Sequence, residues 1–371
     1  MPAGKAGEGR AFQSPGHYIQ GPGEIRNLPV FAADFGSTAL LLIDTFFYKT
    51  YSRTLPVLFE EKGITAYTIE YSGMATDALA EELIEACRRL PTEPDVFIGI
   101  GGGQACDMNK VLGHAFRKAF ISVPTALTTD APTSSHAMIN NHGEQPRVTP
   151  CGKNPDYVVV DTEITIQSPE WMLISGIGDA LATYIEALTS FANYNVCNAG
   201  GGHYRPTLLG MAVAKTCYDT LLEKGREAML AARHHIRTPA YEDVVEATVL
   251  LSGVGFECTG TSIAHGLSAD FHAVPIHMLH GTSVGYCTLI QLIVQNETAH
   301  FEEIFRFCKD IGLPVCTAQL GIAPEERKES VEKMVDDVYG KRWVVMNTPF
   351  FYSRETLINA IYYLDAYAAE H

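Results

Sequence analysis

The sequence predicts an α/β domain with a mostly parallel sheet, followed by an all-helical domain. Two observations carry this. Up to about residue 166, short β-branched or apolar runs alternate with helix-period stretches; after it, long helix-period stretches follow one another with no strand alternation. The composition, 46% hydrophobic and 19% charged over 371 residues, suits a folded chain with enough length for two cores. We place the domains at 1–166 and 167–371, with 1–12, small, polar and glycine-rich, as a loose tail.

In chain order, residues 38–44 (TALLLID) read as a buried strand, and 48–62 as a helix. Residues 65–71 (TAYTIEY) alternate as a strand. Residues 75–90 follow a helical period, with Thr76 or Asp77 available to cap the first turn. A strand over 95–100 (DVFIGI) runs into Gly101-Gly102-Gly103. A helix over 104–118 leads to strands over 119–123 (AFISV) and 157–161 (YVVVD). Strands and helices alternating at this spacing imply a parallel sheet covered on both faces. Beyond them, 170–193, 206–224, 241–257 and 284–296 are helical, with further helix-like stretches towards the C-terminus. The cleft between two such domains is the default place for an active site.

The charge balance of 27 basic against 43 acidic side chains, −16 at pH 7, works against nucleic acid and anionic membrane surfaces as partners. Nine cysteines without a C-x-x-C pair read as reduced thiols of a cytoplasmic protein. The N-terminal segment lacks the apolar stretch of a signal peptide, and no run approaches the ~20 apolar residues of a membrane span. The sequence therefore reads as soluble and cytoplasmic.

Four segments hold the residues that could do chemistry. The glycine turn at 101–103 lies where a strand becomes a helix. There the backbone can approach a pyrophosphate closely and the helix N-terminus offers free N–H groups; a plain tight turn explains the glycines equally well. Asp44, at a strand end, could accept from the hydroxyls of an adenosine ribose or simply cap the next helix. Residues 123–135 (VPTALTTDAPTSS) place hydroxyls and Asp130 directly after a strand, where open α/β sheets bind ligands. In the helical half, Asp179 near a helix start is either an N-terminal charge or, with His265 and His280, one member of a catalytic zinc set. His272 and His277 read as ordinary hydrogen-bonded histidines.

Taken in order, IGGGQACDMNK, VPTALTTDAPTS, SGIGDALATYIEA and GFECTGTSIAHG with MLHGTSVGYCTL resemble the glycerol dehydrogenase branch of the iron/zinc-type (family III) polyol dehydrogenases, over about residues 21–292. The resemblance implies a Rossmann-like N-terminal domain and a helical metal-binding domain, an architecture shared with dehydroquinate synthase. It implies NAD- and metal-dependent oxidation of glycerol or a related vicinal diol, and a homo-oligomer, often an octamer. Carried over by position, it implies Asp179, His265 and His280 as metal ligands that also face the substrate, and Asp130 as a substrate-contacting catalytic carboxylate. It implies cofactor contacts at Asp44, Gly102, Gly103, Gln104, Asp107, Thr125, Thr128 and Ser134.

The iron-type alcohol dehydrogenases carry a further His four residues after the Asp, on the same helix face. Here that position is Thr183, which leaves three ligands and an open site and favours zinc. The chain departs from the family pattern at Gln104, where Lys is usual, and at His136 and Asn140, where Leu and Tyr are usual. It is also about two residues shorter between His265 and His280. Two rivals, a dehydrogenase of a phosphorylated polyol and a 3-dehydroquinate-synthase-like lyase, need Lys or Arg around an anionic substrate. Residues 125–141 and 265–281 contain neither.

Overall fold

The computed structural model describes residues 8–142, 146–268, 278–342 and 344–371. It divides into an α/β unit, Ser14–Ser168 with His235–Arg237, and a helical unit holding most of the rest.

The α/β unit is built on a six-stranded parallel sheet: β1 (His17–Gly21), β2 (Thr38–Asp44), β3 (Thr65–Tyr71), β4 (Val96–Gly101), β5 (Ala119–Pro124) and β8 (Tyr157–Asp161), in the order β1-β8-β5-β4-β2-β3. Alternate residues face opposite ways along a strand. Leu41, Ile43, Ile98, Ile100, Ile121, Val123 and Val159 build the core on one face; Leu40, Leu42, Phe97 and Phe120 build it on the other. In the four inner strands β2, β4, β5 and β8 both faces are apolar because both are covered, which is why they read as hydrophobic runs. The longer helices that follow strands are α1 (Thr45–Glu60), α2 (Asp77–Arg88) and α3 (Gly103–Phe116). Thr76 caps α2, its Oγ1 accepting from the Leu79 N–H at 3.1 Å.

Two features differ from the sequence reading. The edge strand β1, whose HYIQG segment is too short and polar to alternate, forms through pairing with β8. Asp44 and the glycines therefore end the second and fourth strands, not the first and third. A small antiparallel pair, β6 (His136–Ile139) and β7 (Arg147–Pro150), follows the 123–135 loop.

The helical unit comprises α4 (Glu170–Ala192), α5 (Leu208–Arg233), a long helix over residues 239–259 with a π turn at Ala247–Leu251, and α6 (Ile263–Ser268). After these come α7 (His280–Gln295), α8 (Thr298–Ile311), α9 (Arg327–Asp336) and α10 (Arg354–Glu370). The predicted loose tail needs a correction within 8–12: the Ala11 N–H donates to the Arg205 carbonyl at 3.2 Å, and the Arg205 N–H donates to the Gly9 carbonyl at 2.9 Å. Backbone pairing holds a segment whose composition gave no sign of it. Among the described residues, no helix is long and apolar enough to cross a membrane.

Candidate metal centre and cofactor turn

Within the helical unit, Asp179, His265 and His280 come together from three helices. Asp179 lies in the middle of α4, in a buried run where an N-terminal charge has no place, so that alternative fails. His265 sits in α6 and His280 opens α7. Asp179 Oδ1 is 3.4 Å from His265 Nε2 and 3.7 Å from His280 Nε2, and one donor atom from each residue lies within 4.8 Å of the others. Two ligands at ~2.05 Å from a tetrahedral zinc stand about 3.3 Å apart, so these gaps would allow the three to share a cation. Asp179 is 1% exposed whereas the His280 side chain is half exposed, so the trio combines a buried anchor with an accessible edge.

Glycine lets α4 and α7 approach that closely. A Cβ on Gly281 would stand 2.0 Å from the Ser175 carbonyl oxygen, and one on Gly178 2.4 Å from the Gly281 carbonyl oxygen. Thr183, where a fourth ligand could have stood, is turned elsewhere: its Oγ1 bonds Ser252 Oγ at 3.0 Å. His272 and His277 lie outside the described residues.

One residue without an assigned role in the sequence reading joins this group. Glu186, seven positions after Asp179 and so on the same face of α4, is fully buried. Its Oε2 pairs with His265 Nδ1, and its Oε1 accepts from the N–H groups of Ser262 (2.8 Å) and His265 (2.9 Å). Burial alone would lower the His265 pKa. The Glu186 and Asp179 carboxylates outweigh it and hold this imidazole well above its ordinary range, whereas burial holds His280 below its own. The i, i+7 spacing of two acids on a buried helix face was the available signal.

In the α/β unit the predicted cofactor residues gather at the carboxyl ends of adjacent strands. Ile43 pairs with Ile100 and Gly101 with Pro124, which sets Asp44, the glycines and Thr125 side by side. A Cβ on Gly101 would lie 2.9 Å from Asp44 Cβ, and one on Gly103 2.7 Å from Thr129 Cγ2, but one on Gly102 would meet nothing within 4 Å. The N-terminus of α3 carries no side-chain cap. Asp44 does cap α1, accepting from the Phe46 N–H at 2.9 Å through Oδ1 alone. Gln104 Oε1 accepts from the Ala75 N–H at 3.0 Å.

Asp107 and Ser134 are tied to a residue that sequence reasoning passed over. Lys110 is fully buried, with Nζ 2.8 Å from Asp107 Oδ1, 2.6 Å from the Ala131 and His136 carbonyls and 3.2 Å from Ser134 Oγ. This ammonium pins the 131–136 loop that follows Asp130. Asp107 Oδ2 accepts from the Met138 N–H at 2.9 Å. Thr125 and Asp130 are buried and Thr128 is partly so.

Residues 19–169 match the family model for iron-containing alcohol dehydrogenases. The glycerol dehydrogenase of Escherichia coli O6:H1 is 36% identical over 84% of this chain and 85% of its own length. Among solved structures, a probable glycerol dehydrogenase from Sinorhizobium meliloti is 31% identical with a TM-score of 0.88, covering 98% of this chain and 99% of its own. The Schizosaccharomyces pombe glycerol dehydrogenase is 27% identical with a TM-score of 0.91, covering 99% and 93%.

Proposed function

This chain belongs to the iron-containing alcohol dehydrogenase family, and from that premise we propose that it oxidises glycerol or a related vicinal diol to the hydroxyketone with NAD as oxidant. The observation that carries the reading is the convergence of Asp179, His265 and His280 from three helices. Those residues fit a divalent cation, which we take as zinc because three N/O donors with one accessible side match a catalytic zinc site. When bound, the cation supplies Lewis acidity that lowers the pKa of an alcohol hydroxyl.

The chain's own residues do the rest. Asp179, His265 and His280 orient the reacting hydroxyl, and Asp130 accepts a hydrogen bond from the neighbouring hydroxyl of the diol and takes part in proton removal. Asp44 accepts from the ribose hydroxyls through the oxygen that does not cap α1. Gly102, Gly103 and Gln104 line the pyrophosphate at the uncapped start of α3, with Asp107, Thr125, Thr128 and Ser134 completing the cofactor contacts. The balance is one carbinol hydrogen leaving with its electron pair to NAD and one hydroxyl proton leaving to solvent. The rivals that handle anionic substrates need basic side chains that residues 125–141 and 265–281 do not contain. The same reading makes the protein a cytoplasmic homo-oligomer; its nine thiols, none in a disulfide, suit a reducing compartment.

The test is NADH absorbance against glycerol, 1,2-propanediol and other small diols, with and without chelator. Activity that chelation abolishes and zinc restores is expected. Asp179→Asn is expected to lower kcat/KM by about three orders of magnitude, roughly 4 kcal/mol. No NADH with any diol in the zinc-loaded protein overturns the reading.

A further inference from the structure

We infer that Glu186 is a positioning residue for this centre: it fixes the His265 ring with Nδ1 as donor and Nε2 as the ligating nitrogen, and thereby sets cation affinity. The inference rests on the metal-centre reading above.

The six-residue helix that carries His265 has N-terminal amides served by side chains from its neighbours. Glu186 on α4 accepts from Ser262 and His265, and Gln291 on α7 accepts from Ala264 at 2.8 Å. The two helices that hold the other ligands thus hold this one in place. Glu186 has a second action, on the ring. An ionised carboxylate has no hydrogen to donate, so the imidazole nitrogen facing it must carry the proton. The Nδ1–Oε2 contact therefore leaves Nε2, 3.4 Å from Asp179 Oδ1, as the nitrogen that would give up its proton to ligate a cation. Phe256 stacks on the ring with centroids 5.7 Å apart and limits its tilt. Charge agrees, because two carboxylates around two neutral imidazoles balance a dication.

Glu186→Gln separates the two actions. Its amide oxygen still accepts from Ser262 and His265, but its NH2 then faces Nδ1. The ring must take the other tautomer and point the Nε2 proton at the cation. Zinc affinity by chelator competition is expected to fall by about 10- to 100-fold. Gln291→Leu removes an amide acceptor without touching the ring, and should lower Tm while leaving zinc affinity within about twofold. In zinc-loaded wild-type protein, 15N shifts of labelled histidine should show His265 protonated at Nδ1 and ligating through Nε2, a measurement that needs no variant to fold. Unchanged affinity in Glu186→Gln, a loss no greater than that of Gln291→Leu, or ligation through Nδ1 overturns the inference alone. Wild-type protein that binds no zinc overturns the metal-centre reading with it.

Discussion

At the scale of single residues, the two buried charges that matter most answer different needs. Glu186 is a buried carboxylate that favours positive charge on His265, whereas Lys110 is itself a buried positive charge with four acceptors around it. Removing Lys110 takes from Asp107 the largest of the influences that offset its burial, leaving the Met138 N–H and His136. Lys110→Met should destabilise the protein by about 3–5 kcal/mol in urea unfolding, and Asp107→Asn in the same chain should recover part of it. A loss below about 1 kcal/mol would show the ammonium to be dispensable. The three converging residues were visible in the sequence as AHG, LHG and GDALATY. Their two supports were not, since a Glu in a helix and a Lys after a glycine turn are ordinarily solvated.

At the scale of elements, glycines serve two distinct ends, and substitution separates them. Gly102 has open space where its side chain would be, so Gly102→Ala should leave Tm within about 2 °C. If the pyrophosphate lies against this turn, the same methyl should weaken NAD binding about tenfold, roughly 1.4 kcal/mol, by calorimetry. Unchanged NAD affinity would remove the turn from the cofactor site. Gly281, by contrast, faces backbone at the α4–α7 crossing. Gly281→Ala forces the helices apart and should cost about 1–3 kcal/mol of stability and weaken zinc binding as His280 is drawn from Asp179. Full zinc affinity in that variant would mean that the ligand spacing does not depend on the crossing. The strand runs at 38–44 and 157–161 were legible to the residue because both faces are buried, and 65–71 because its residues alternate; β1 was not, because pairing with β8 makes it a strand.

At the scale of the whole molecule, Tyr194, Leu208 and Leu209 lie within a short stretch of the helical unit and are 68%, 72% and 55% exposed. Large apolar side chains left in water favour association. Light scattering should give a mass that is a multiple of 40.5 kDa, and polar substitution at Leu208 and Leu209 should reduce it. A single 40.5 kDa species in the wild-type protein would refute self-association.

By itself the sequence determined five of the six sheet strands with their alternating helices, the three residues that converge in the helical unit and the place of the glycine turn. The strands and helices rest on local periodicity, and the three residues on the resemblance of the motifs that carry them. Only the tertiary structure decided that Asp44 stands beside Gly101, that Thr183 is turned to Ser252, and that Glu186 and Lys110 are buried. Each of those facts depends on which distant segment packs against the residue, and a helix or strand period carries no record of its neighbour.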